Sequence, residues 1–93
     1  MKTQNIHPDY ERAIEVEQAA EYARDVAAKE MSAAERAWGV LVANPALDYT
    51  SPEVVAAKAL RMATKTVWRE AVEAHVEARN ARSVVYLKTR RND

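Results

Sequence analysis

The residue types that could carry chemistry in this chain are few, and their spacing is uninformative for catalysis. Two histidines occur, His7 beside a proline and His75 within a long helical pattern. No HxxxH, HExxH or ExxH spacing exists, so a helical zinc or di-iron site lacks a ligand set. Cysteine is absent, which removes a thiol nucleophile, a zinc knuckle and a disulfide scaffold. The single glycine, Gly39, rules out a glycine-rich phosphate loop. Acidic pairs four residues apart (Glu11 with Glu15, Glu17 with Glu21, Glu21 with Asp25) read as solvated helix carboxylates. Ser32, Ser51 and Ser83 have no His and Asp companions at useful spacing. The expectation is a non-enzymatic protein with no cofactor, no metal and no small-molecule substrate.

Two features of the second half point to binding instead. Lys58, Arg61, Lys65 and Arg69 step by three and four along one helical face, a row able to track phosphates. In the part of the first half expected beside this row, the acids are Glu30 and Glu35, so the row is expected to remain unneutralised. Trp68, Val72 and Val76 follow at intervals of four, with Arg69 beside them. A large apolar row next to an arginine has the composition of a protein-docking surface.

These residues need long helices to position them. The chain has 93 residues, with 14 basic groups balancing 14 acidic ones and 48% hydrophobic residues, many of them alanine. That length sets one domain, residues 1–93, with short flexible ends at 1–7 and 89–93. Zero net charge argues against a general attraction to nucleic acid or anionic lipid. No apolar run approaches the ~20 residues of a membrane span, and no signal-peptide pattern opens the chain, so a cytoplasmic protein is expected.

Pro8 and Asp9 start the first helix, and Asn44-Pro45 stops it. Ser51-Pro52, with Thr50 and Glu53 as an alternative capping box, starts the second. The fold expected is all-α: two helices at about 8–43 and 52–88 in an antiparallel coiled-coil hairpin, pairing into a four-helix bundle. Ser32-Ala33-Ala34-Glu35 offers a competing break in the first helix.

An apolar seam is legible on each helix. The first runs Ala13, Val16, Ala20, Ala23, Ala27, Met31, Ala34, Trp38, Leu41, and the second runs Ala56, Leu60, Ala63, Val67, Ala71, Ala74, Ala78, Ala81, Val85. Each alternates steps of three and four with one stutter, and folded back across the 44–51 loop the two stutters coincide. The same register sets the acidic start of the first helix beside the basic end of the second, with Glu17 near Arg82 and His75 opposite Arg24. Because the seam is mostly alanine it buries little, so a second face is expected to complete the fold. That face comprises Val26, Ala33, Ala37 and Val40 with Val55, Ala59 and Met62, and it is assigned to a homodimer.

In outline the hairpin resembles the small secreted WXG-type proteins. Trp38 and Gly39 are adjacent here, however, where that family has W-x-G. Tyr86 is followed four positions later by Arg90, where the family's secretion signal has an acid. The resemblance is of shape, and no function follows from it. The function expected is a helical protein–protein interaction module acting as adaptor, chaperone or inhibitor on a partner protein. The alternative is a nucleic-acid accessory protein using the basic row.

Overall fold

A computed structural model describes residues 7–91. Two helices account for nearly all of it: α1, Pro8–Val42, and α2, Pro52–Arg91. They pack antiparallel along their length as a hairpin measuring 68 × 25 × 14 Å. The smallest dimension is that of a single layer of helices.

Local chemistry explains both helix starts. His7 precedes α1 in an extended conformation, and its Nδ1 accepts the Asp9 N–H at 3.1 Å. Pro8 occupies the first turn, and Asp9 and Glu11 meet the positive end of the helix dipole. The loop is organised by the side chains of Asn44, Asp48, Thr50 and Ser51. Asn44 Oδ1 accepts from the Ala46 N–H at 2.9 Å, and Asp48 Oδ1 accepts from the Thr50 N–H at 2.9 Å and the Thr50 hydroxyl at 2.7 Å. Ser51 Oγ takes the Asp48 N–H at 3.1 Å and so ties the loop together at the foot of α2. These hydrogen bonds hold the Asp48 carboxyl below its ordinary range, the Thr50 hydroxyl being the largest cause. α1 passes unbroken through Ser32 and Gly39, so the competing break does not form. α2 continues three residues beyond the expected end at 88, and α1 stops one short of 43. The remaining expected flexible positions, 1–6 and 92–93, lie outside the described residues.

The seam differs from expectation in its phase. On α1 the seam positions are Tyr10, Ala13, Glu17, Ala20, Arg24, Ala27, Met31, Ala34, Trp38 and Leu41, with Ile14, Ala28 and Glu35 partly shielded beside them. On α2 they are Val54, Ala57, Arg61, Thr64, Trp68, Ala71, His75, Ala78, Arg82, Val85 and Thr89. Both series alternate three and four without interruption, so neither helix has a stutter. Ala13, Ala20, Ala27, Met31, Ala34, Trp38 and Leu41 hold their expected places, as do Ala71, Ala78 and Val85. Val16 and Ala23 give way to Glu17 and Arg24. In α2, Ala56, Leu60, Ala63 and Val67 give way to the residues one place later, and Ala74 and Ala81 to His75 and Arg82.

The physical reason lies in side-chain length. An arginine can lay its stem along the seam and deliver its charge to an acid at the edge. Exposing an alanine loses little apolar burial. Shifting the seam by one residue on α2 exchanges Val67 for the larger Trp68 and buries Val54, which is 3% exposed. The apolar side chains set aside by this choice remain in solvent on one flank.

Candidate interaction surfaces

The polar members of the seam form a connected layer. Arg82 Nη1 lies 3.0 Å from Glu17 Oε1, and His75 Nε2 lies 3.9 Å from Glu17 Oε2. On the other side of the ring, Arg24 Nη1 lies 3.1 Å from His75 Nδ1. A guanidinium can only donate, so Nδ1 is the acceptor and the neutral ring carries its proton on Nε2, toward Glu17. Arg24 also donates to Asp25 Oδ1 at 3.1 Å. His75 is buried, at 8% exposure, and every buried side-chain polar atom among the described residues has a partner. The layer fixes the height of one helix against the other. It opens into no enclosed cavity, and no three His, Asp or Glu side chains among the described residues converge on a common point.

The basic row is reorganised by the same shift of phase. Arg61 is a seam residue: its Nε donates to Glu35 Oε2 at 2.7 Å and its guanidinium lies 5.5 Å from the centre of the Trp38 ring. The expectation that Lys58, Arg61, Lys65 and Arg69 are unneutralised therefore fails at Arg61, where Glu35 is within reach. Lys58, Lys65 and Arg69 stay exposed and make no ion pair among the described residues. They share their broad face with the acids of α1, since Glu35, Glu21 and Asp25 recur at the corresponding places on the first helix. This charged face is acidic along α1 and basic along α2.

Trp68, Val72 and Val76 do not form an outward row. Trp68 sits one heptad from Arg61 and one from His75, both of which touch α1, so it faces the seam. Val72 is half-buried beside it, and Val76 reaches the charged face at 39% exposure. Steps of four drift around a helix whose seam repeats every 3.5 residues, which carries this row from inside to outside. Arg69 is exposed on the same face, two turns before Val76.

The surface that emerges in their place lies on the opposite flank. On α1 the exposed positions Val16, Ala19, Ala23, Val26, Glu30, Ala33, Ala37 and Val40 alternate steps of three and four. On α2 the exposed positions Ala56, Leu60, Ala63, Val67, Glu70, Ala74, Glu77, Ala81 and Val84 do the same. Each helix thus carries a second heptad series about a quarter-turn from the first. In an antiparallel pair the two second series lie on the same side. A shallow groove of about 420 Å³ lined by Glu30, Ala33, Ala37 and Leu60, with Ala34 and Thr64 at its floor, joins them across the seam. Val40 is 71% exposed, Val84 55%, Val16 and Leu60 54% and Val67 50%.

Of the residues assigned to a dimer face from sequence, Val26, Ala33, Ala37 and Val40 all belong to this apolar flank. Val55 and Met62 lie on the charged face and Ala59 on the outer edge of α2, so the seven do not share one surface. The one-residue change of seam on α2 turns these three away. The signal is present in the sequence: Val16 and Ala23, placed in the expected seam, and Val26 and Ala33, placed apart from it, belong to one continuous series. No helix among the described residues is long and apolar enough to cross a membrane. No protein-family model matches the chain, and neither a curated protein nor a solved structure is significantly similar to it.

Proposed function

We propose that this chain is a non-enzymatic helical interaction module that docks its apolar face against helices of another protein chain, in the manner of a small adaptor, chaperone or inhibitor. The observation that carries this reading is the exposed second heptad series, apolar on both helices except at Glu30, Glu70 and Glu77. Isolated exposed valines are ordinary, but a contiguous apolar strip along two helices marks a surface that meets another protein. The even 3.5-residue spacing suits helices packing as knobs into holes, rather than an extended peptide or a flat sheet. The test is comparative capture from the cell of origin with the wild-type chain and with Val26→Asp and Leu60→Asp variants. Proteins retained by the wild type and lost by both variants support the reading. Identical retention by all three overturns it.

A further inference from the structure

Building on the docking reading above, we infer that the occupant of the apolar face is a second copy of this chain, placed by a two-fold axis to make a four-helix bundle. The first argument is size. From Val16 to Val40 the strip on α1 is about 36 Å long at 1.5 Å per residue. Two helices side by side make it about 20 Å wide, so a copy offers about 700 Å² and a pair about 1,400 Å², within the range of stable specific complexes.

The second argument is need. Ala27, Ala34, Val54, Ala78 and His75 are the residues the hairpin itself buries, among those described. A chain of this size with so small a core falls short of independent stability unless further apolar surface is covered. Pairing through the strip would supply that cover and link folding to association.

The third argument is symmetry. The apolar strip is centred on Ala28 in α1 and on Glu70 in α2. The contacts of Arg24 with His75 and of Glu17 with Arg82 set those two positions at nearly the same height along the hairpin. A two-fold axis at that height lays apolar strip on apolar strip for both helices at once, the condition for a self-complementary contact. The alanines that dominate both strips permit close approach of the helices. Glu70 and Glu77 stand toward the outer rim of α2, from which their carboxylates reach water past a docked helix. Glu30 lines the groove at nearly the height of Glu70, so pairing brings acids of both copies near the axis, a repulsion that the apolar turns on either side must offset. The charged faces of both copies then form the two outer surfaces of the bundle.

Sedimentation equilibrium of the full chain at micromolar concentration tests the pairing. Twice the 10.5 kDa chain mass is expected. Leu60→Asp should weaken association by about tenfold or more, because a charge beside the seam would be buried unpaired, and Val26→Asp, toward the outer rim of α1, should weaken it by less. Val55→Asp, on the charged face, should leave the mass unchanged. A single cysteine provides a second measurement that does not depend on the aspartate variants folding. The Ala63→Cys thiol, on the apolar face, should become protected from alkylation as protein concentration rises, and that of Ser83→Cys, on the charged face, should not. A single-chain mass with intact helices overturns self-pairing and leaves the docking reading standing. A dimer unaffected by Val26→Asp and Leu60→Asp, with Ala63→Cys labelled equally at all concentrations, overturns self-pairing through this face, and the docking reading then rests on the capture test alone.

Discussion

Deleting Glu17 tests whether a polar layer, rather than an apolar one, sets the register. Its Oε1 accepts a charge-assisted hydrogen bond from Arg82 at 3.0 Å, and its side chain is 15% exposed while that of Arg82 is 37% exposed. Hydrogen bonds to charged groups contribute about 1.5–3 kcal/mol, and fully exposed ion pairs about 0–1 kcal/mol. Since Arg82 is more than a third open to water, solvent screening places this pair near the lower end, at about 1 kcal/mol. His75 Nε2 stands 3.9 Å from Glu17 Oε2, too far for a hydrogen bond, and adds little while the ring is neutral. The assay is a double-mutant cycle of Glu17→Ala and Arg82→Ala, read by urea unfolding with far-UV circular dichroism at one fixed protein concentration. The expected coupling is about 1 kcal/mol, falling as salt is added. Val16→Ala combined with Arg82→Ala should be additive to within about 0.5 kcal/mol. Coupling between Val16 and Arg82 equal to that of Glu17 and Arg82 would refute the seam phase described here.

Three further outcomes follow from the same geometry. Replacing His75 with Leu removes the acceptor of Arg24, which keeps Asp25 at 3.1 Å, so stability should stay within about 1 kcal/mol of wild type, whereas His75→Ala should cost about 1–3 kcal/mol through the cavity it leaves; thermal and urea unfolding of the two variants separates the cases. The depressed Asp48 carboxyl contributes stability that is present above its unfolded value, near 3.8, and lost as pH falls through its lower folded value; Asp48→Ala should therefore unfold at lower urea at neutral pH and converge with wild type in strong acid, and a constant difference at all pH values would contradict the loop assignment. If nucleic acid meets the charged face, Lys58, Lys65 and Arg69 are the cations that can reach phosphates, so changing all three to Gln should lower the salt slope of DNA binding by about three; no retention of the wild type on DNA at low salt removes that activity altogether.

Much of the architecture is written in local sequence. Pro8, Asn44-Pro45 and Ser51-Pro52 punctuate the chain, alanine with charged residues of high helix propensity fills the intervals, and the hairpin and its approximate height follow. The nearness of Glu17 to Arg82 and of Arg24 to His75 was legible as well, because opposite charges and shared register mark it without knowing which way each helix is turned. The rotation of α2 about its own axis was decided by tertiary packing. Apolar periodicity alone offers two heptad series on each helix, and it cannot tell the one that meets the other helix from the one that faces outward. Packing selected the series containing Arg61, His75 and Arg82, since each polar head finds a partner on α1 or at its edge and Trp68 is enclosed in the same step. That choice moved Trp68 inward, withdrew Arg61 from the basic row, and separated Val55, Ala59 and Met62 from Val26, Ala33, Ala37 and Val40. The apolar face is the remainder of that selection: residues hydrophobic enough to form a seam, left over once a more polar seam had satisfied its hydrogen bonds.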